Sequence, residues 1–249
     1  MAKITCFGEV LWDVFPTHEK IGGAPLNVAL RLKSFNHEVA MISAIGNDAY
    51  GKTLLDYISE NGVVTDYIQV HPTLQTGKVQ VTLNDKGSAS YEITYPCAWD
   101  KIVMNEKLKD LVANSEAFVF GSLVARDAVS KDTLFQLLEV SSYNVFDLNL
   151  RAPHYTKDLL IHLMNKADFI KFNDDELYEV SGYLGSKYLS MEQNIRFISK
   201  ATNTKHICVT KGNHGAVLFY NHGLYYNSGY LIKVKDTVGA GDSFLGTLI

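Results

Sequence analysis

The sequence predicts an α/β fold, a mostly parallel sheet with helices on both faces, carrying a small antiparallel β flap. Two observations predict it. Short apolar runs alternate with amphipathic stretches along most of the chain, which is the signature of strands joined by covering helices. One segment, Gly77 to Tyr95, breaks that rhythm with apolar and polar residues in strict alternation.

Taken in order, Ile4 to Phe15 is rich in β-branched and aromatic residues and reads as a strand. Pro25 to Ser34 reads as a helix, with Leu26, Ala29, Leu30 and Lys33 at helical spacing and Pro25 suited to its first turn. Val39 to Ile45 is a strand, and Tyr50 to Glu60 a helix ended by Asn61-Gly62. In the flap Val79, Val81 and Leu83 alternate before the turn Asn84-Asp-Lys-Gly87, and Tyr91, Ile93 and Tyr95 after it, giving a two-stranded hairpin with one covered and one wet face. The α/β rhythm then resumes: strand Ala117 to Phe120, helix Lys131 to Val140, strand Tyr143 to Leu148, helix Asp158 to Lys166, strand Phe169 to Phe172, helix Met191 to Ala201 and strand His206 to Thr210. A hairpin follows at Gly215 to Tyr220 and Gly223 to Tyr226.

The 249 residues are 47% hydrophobic and 20% charged, enough apolar material for a core. The net charge of −4 offers no basis for general nucleic-acid binding. Cys6, Cys97 and Cys208 are far apart and odd in number, so they read as small buried hydrophobes in a reducing compartment rather than as disulfides or a zinc site. The N-terminal run carries Glu9 and Asp13, unlike a signal peptide, and no apolar run is long enough to span a bilayer; a cytoplasmic location is expected.

The chemistry concentrates in Asp236-Thr-Val-Gly-Ala-Gly-Asp-Ser-Phe. Gly239-Ala-Gly241 allows a tight turn and close approach of a ligand to the backbone. Asp242 and Ser243 then begin an apolar helical stretch, so free amides and the helix dipole favour an anion there. An acid at that place has two readings: a helix cap, or a base that deprotonates a hydroxyl beside an incoming phosphoryl group.

This run resembles the C-terminal signature of the PfkB (ribokinase-like) carbohydrate kinase family. Gly22-Gly-Ala-Pro-Leu-Asn-Val-Ala29 is similar to the family's N-terminal signature, Asn173-Asp-Asp-Glu176 to its Asn-x-x-Glu motif, and Thr210-Lys-Gly-Asn-His-Gly215 to its nucleotide-phosphate loop. Four elements in the right order make the match specific. The resemblance implies a ribokinase-like domain over residues 1–249 with a β lid from about 10–20 and 75–100. It implies Asp242 as catalytic base and the amides of Gly239, Ala240 and Gly241 as the anion hole. It implies sugar contacts at Asp13, Gly22, Gly23 and Asn27, and ATP contacts at Thr210, Gly212 and Gly215. Asn173 and Glu176 would organise phosphate and Mg2+, mostly through water, although as residues they also spell a capping box. Asp236 and Val238 match positions that hold a monovalent cation, K+, in some members.

Asp147-Leu-Asn-Leu-Arg151 resembles the Asp-x-Asn-x-Arg stretch of fructokinase-like members and some acid-sugar kinases, with Arg151 meeting phosphate or substrate. Tyr95-Pro-Cys-Ala-Trp-Asp100 also looks fructokinase-like, and Trp99 reads as packing for the flap. The substrates implied are ATP and a sugar, first fructose phosphorylated on a primary hydroxyl, then a 2-keto-3-deoxygluconate-type acid sugar or a ribose or nucleoside. A homodimer through the lid, with no nucleic-acid or membrane partner, is expected. Family members continue through further helices after the one begun at Asp242, whereas this sequence stops at Ile249. That raises a reading of another class, a sugar-binding fragment or sensor without turnover.

Overall fold

The computed structural model describes residues 1–83, 89–230 and 238–249. Along the chain run β1 (Lys3–Phe7), β2 (Leu11–Val14), β3 (Glu19–Gly22), α1 (Ala24–Ser34), β4 (Glu38–Gly46), α2 (Ala49–Glu60), β5 (Ile68–His71), β6 (Gly77–Leu83) and β7 (Ala89–Ile93). Then come α3 (Glu106–Ala113), β8 (Ala117–Gly121), α4 (Ala128–Leu138), β9 (Asn144–Asp147), α5 (Lys157–Lys166), β10 (Phe169–Asn173) and α6 (Asp174–Tyr183). The chain continues through α7 (Met191–Thr202), β11 (His206–Thr210), β12 (Ala216–Tyr220), β13 (Gly223–Asn227) and α8 (Ala240–Leu248).

The large sheet has the order β13-β12-β11-β10-β9-β8-β1-β4-β5. From β11 to β5 every neighbouring pair is parallel, and only β12 and β13 turn back antiparallel. Because successive side chains point to opposite faces, each strand feeds two cores. Phe7, Phe118, Phe120, Phe146, Ile170 and Phe172 join one cluster with Leu134, Leu163 and Ile195 of the covering helices. Cys6, Met41, Val119, Val145 and Cys208 join the other with Leu26, Leu32, Leu54 and Leu245. So α1, α2 and α8 cover one face and α3 to α7 the other, as the strand–helix rhythm predicts. The cysteines are free and buried. Among the described residues no helix is long and apolar enough to cross a membrane.

Two expectations need correcting. The run Ile4 to Phe15 is not one strand. It breaks after Phe7, where Gly8 has φ 146 and lies so close to the Pro25 ring that a β-carbon would meet it; β1 enters the large sheet and β2 leaves for the small one. The flap has four strands rather than two, in the order β3-β2-β6-β7, with β2 beside both β3 and β6. Leu11, Val79 and Val81 give it a small apolar core of its own, backed by Phe15 and Ile93. Three or more strands with an apolar face can stand where a lone hairpin cannot. The turn predicted at Asn84 to Gly87 lies outside the described residues.

The lid is anchored where its last strand returns to the body. Arg126 donates from Nε to Asp100 Oδ1 at 2.7 Å and from Nη2 to Asp100 Oδ2 at 2.9 Å, with both side chains almost wholly buried. The same Nη2 reaches the Thr94 carbonyl at 2.7 Å, and the guanidinium stacks 4.0 Å over the Trp99 ring. Trp99 is fully buried with Cys97 and Leu123, which is the packing role its sequence context predicts.

Candidate active site

The parallel strands end along one rim of the large sheet, and the site collects there. β9 ends on Asp147, β10 on Asn173 and β11 on Thr210, with Asn173 and Thr210 directly paired across the last two. Ligands of open α/β sheets bind outside these carboxyl ends, where the backbone turns into helix N-termini.

Asp242 stands at the centre. It lies in the first turn of α8 and is buried, and its Oδ2 accepts from Asn27 Nδ2 at 2.8 Å. Burial pushes its carboxyl above the ordinary carboxylate range, the nearby Asp147 pushes the same way, and the Asn27 bond, Lys171 and Arg151 pull back. Asp242 therefore is no plain N-cap: the cap position belongs to Gly239, which is in the left-handed region with φ 75 and makes no side-chain cap bond. Gly241 is needed for close approach, since a β-carbon there would stand 3.1 Å from Lys171 Nζ. The turn thus presents the backbone of Gly239, Ala240 and Gly241 beside a poised carboxyl.

Asn27 comes from α1, whose first turn closes through the bond from Asn27 N to Gly23 O at 2.9 Å. Gly22 ends β3 against the Asp13 carboxylate on β2, and Gly23 lies against the Glu9 carbonyl; a β-carbon at either would collide. Burial raises the Asp13 carboxyl above its usual value, with Lys20 and Arg151 pulling it down. Arg151 is exposed, donates to the Leu150 carbonyl at 2.9 Å, and acts electrostatically on Asp13, Glu9 and Asp242 alike. Asp13, Gly22, Gly23, Asn27, Arg151 and the 239–242 turn are therefore brought together.

The residues that the resemblance assigns to the nucleotide form a second group along the rim. Asn173 and Glu176 make the reciprocal capping box of α6: Asn173 Oδ1 accepts from Glu176 N and Glu176 Oε2 from Asn173 N, each at 2.8 Å. Glu176 Oε1 also accepts from Leu150 N at 2.9 Å. Burial raises its carboxyl, and the Asn173 amide counters. Both oxygens are engaged, and among the described residues no three His, Cys, Asp or Glu side chains cluster as metal ligands. These residues fit Mg2+ held through its own water rather than by direct coordination. Thr210 donates to the Phe172 carbonyl at 3.3 Å, and Gly212 and Gly215, both at positive φ, bound the short turn that follows β11. Asp236 lies outside the described residues, and Val238 is half-exposed before the turn.

A model of the pfkB family carbohydrate kinases matches residues 1–249. The chain belongs to this family. This carbohydrate kinase is 28% identical over 270 residues to a fructokinase-2 of Solanum habrochaites, covering 99% of the chain and 80% of the relative. Among solved structures, a sugar kinase of Pyrococcus horikoshii in complex with ATP is 25% identical with a TM-score of 0.85, covering 98% of this chain and 83% of that one. The fructokinase of Vibrio cholerae O395 in its fructose-, ADP- and calcium-bound form shares the fold with a TM-score of 0.84 at 24% identity, covering 100% and 83%.

Two charged residues that act electrostatically on Asp242 escape a sequence reading. Lys171 sits inside an apolar strand, and Glu9 just after one; neither has a local signal. Glu9 is buried, and its Oε2 has no hydrogen-bond partner. Burial pushes its carboxyl up to about 7 from 4.5, against the pull of backbone amides and Arg151, and with Asp242 adding to the rise. Between those values the folded chain keeps a proton that the unfolded chain has released. Stability therefore falls as pH rises through that window and stays lower above it. Glu9→Gln is expected to remove this dependence. In urea unfolding, its stability relative to the wild type should grow by about 3 kcal/mol from below pH 4.5 to pH 8; a difference that does not change with pH contradicts the buried-acid assignment.

Proposed function

We propose that this kinase transfers the γ-phosphoryl group of ATP to a primary hydroxyl of a ketose, fructose first. The observation that carries the reading is the Asp242 carboxyl, buried beside the Gly239–Gly241 turn and held by Asn27 at 2.8 Å. Asp13 and Asn27, with the backbone of Gly22 and Gly23, hold the sugar hydroxyls. Asp242 takes the proton of the attacking hydroxyl as the oxygen bonds to phosphorus and the bond to the leaving ADP oxygen breaks. Burial holds its carboxyl above the ordinary carboxylate range, which makes it a better proton acceptor than an exposed aspartate. The amides of Gly239, Ala240 and Gly241 receive the charge that develops on the phosphoryl oxygens, and Arg151 adds a positive charge on the sugar side. Thr210, Gly212 and Gly215 bind the nucleotide, and Asn173 orients its phosphates. Glu176 would hold Mg2+ through water, and Asp236 and Val238 a K+ ion. When bound, Mg2+ neutralises the phosphate charge. Closure of the lid excludes water from the transfer.

The fructose choice is supported by Asp147-Leu-Asn-Leu-Arg151 and by the 28% identity to the fructokinase-2 of Solanum habrochaites. ADP release measured over fructose, ribose, 2-keto-3-deoxygluconate and nucleosides tests it. Turnover on fructose supports the reading, and turnover confined to another member of the panel replaces fructose with that sugar. Sugar binding without turnover on any member sinks the enzyme claim and leaves the sugar-binding sensor. The lid is also proposed to pair two copies in a cytoplasmic homodimer; only monomer in sedimentation at high concentration counts against that.

A further inference from the structure

A buried lysine lies behind the turn that carries Asp242. Lys171 on β10 donates from Nζ to Asp147 Oδ1 at 2.8 Å, with both side chains more than nine-tenths buried. The β-carbon position of Gly241 lies 3.1 Å from that Nζ. The ammonium therefore faces the α-carbon of the same glycine that stands before Asp242. Besides each other, the charged groups facing Lys171 or Asp242 come from four places: Asp147 of β9, Glu176 of α6, Arg151 in the loop after β9 and Glu9 after β1. Cys208 of β11 faces the pair as a neutral thiol, pushed up to about 12 by burial.

Packing alone does not account for this pair. A buried ion pair is commonly no more stabilising than an apolar pair of the same volume. Here Asp147 also leaves its Oδ2 buried without a hydrogen-bond partner, a further cost to the fold. Burial disfavours the ammonium, yet Asp147 overcomes this and holds Lys171 above its ordinary range, so the charge is permanent at neutral pH. A permanent charge fixed between a carboxylate and an anion-binding turn bears on what happens at that turn.

We propose that Lys171 is a positioning residue of the kinase site, a fixed positive charge aimed by Asp147 that keeps Asp242 ionised and backs the Gly239–Gly241 turn. It acts through Asp242 and the Gly241 peptide, not by touching the sugar. The inference rests on Asp242 as the base. Before transfer the ammonium is paired with Asp147 and favours the ionised form of Asp242 from beyond contact distance. During transfer the sugar proton moves to Asp242, which becomes neutral, and negative charge builds on the phosphoryl oxygens beside the turn. The ammonium that balanced Asp242 then faces the new charge without having moved, so no reorganisation is needed at the moment of reaction.

The test reads the acidity of Asp242 directly. The full chain, without nucleotide, is labelled with 13C at the aspartate Cγ and titrated by NMR, with the Asp242 signal assigned by its loss in Asp242→Asn. Lys171→Gln removes an attraction and moves the Asp242 titration to higher pH. Asp147→Asn removes a repulsion and moves it to lower pH. The acidic limb of kcat/KM for ADP release must follow the same opposite shifts, and kcat of Lys171→Gln should fall on the order of 10²-fold, with KM changing less. A packing role would give no such opposed pair. An unmoved Asp242 titration in either folded variant overturns the proposal. Each variant carries its own direction, so one that folds suffices. Where neither does, the double variant, which leaves no lone buried charge, takes their place. In the double variant the fixed charge behind the turn is gone, so kcat for ADP release must still fall on the order of 10²-fold with KM changing less, and a wild-type kcat overturns the proposal. A wild-type chain that turns over no sugar sinks the kinase reading but leaves the titration as a valid test of Lys171.

Discussion

Asp242→Asn should lower kcat by about 10²–10⁴-fold while leaving the affinities for sugar and ATP nearly unchanged. The amide has the shape of the carboxyl and its oxygen still accepts from Asn27 Nδ2, now at 2.8 Å from Asp242 Oδ2. What it cannot do is take a proton from the sugar. The loss of a negative charge in the first turn of α8 is a smaller matter, worth about 0.3–1 kcal/mol of helix stability. Steady-state kinetics separate the effects: the fall must appear in kcat and kcat/KM together, with KM steady. A variant that turns over at the wild-type rate removes Asp242 from the mechanism.

Asp100→Ala should be the most damaging single change to stability. It leaves the Arg126 guanidinium buried without its bidentate partner at 2.7 and 2.9 Å, facing the Thr94 carbonyl, a thiol and the Trp99 and Tyr95 rings but no carboxylate among the pairs described for it. Stranding one member of a buried pair costs about 3–5 kcal/mol. For a chain of this size that corresponds to a melting temperature lower by on the order of 10 °C. Replacing both members, Asp100→Leu with Arg126→Met, removes the stranded charge and should recover much of the loss. If the double variant melts as low as the single one, the damage comes from lost packing rather than from the uncompensated charge. Because this pair anchors the return of the lid, the single variant should also loosen β7 in hydrogen exchange before the large sheet opens.

Elements with both faces buried were the easiest to read. Val39 to Ile45 and His206 to Thr210 are short unbroken apolar runs, and the structure makes them β4 and β11 with ends shifted by no more than one residue. Helices with an apolar stripe, such as α2 and α7, were equally legible. What failed depends on partners distant in sequence. The residue types of the apolar run from Ile4 give no sign that its second half belongs to another sheet; only the resemblance assigns about 10–20 to the lid. β3, Glu-Lys-Ile-Gly, has no alternation worth reading and becomes a strand because β2 offers it an edge. α3 did have a signal that went unread: Asn105 before it accepts from Leu108 N, and Leu108 and Val112 lie on its buried side. In the site, glycine-rich turns announce themselves because few residues can make them. Asp147 is legible only through the run Asp147-Leu-Asn-Leu-Arg151, and Glu9 and Lys171 are not, since a charge in or just after an apolar strand acquires meaning only from the neighbouring strands.

The hydrogen bond from Asn27 to Asp242 joins positions 215 residues apart. No fragment that folds early, whether the β1–α1 unit or any later pair of strand and helix, contains the environment of Asp242. The entropy of closing so long a loop is met by the packed layers between, and only after they have formed. Catalytic competence is therefore a census of the whole fold: a partly folded chain that has recovered nearly all its helix and sheet still lacks the one bond that orients Asp242. Return of turnover during refolding should trail return of secondary structure, and heat or denaturant that merely unseats α8 from α1 should silence the enzyme while most of its backbone signal persists.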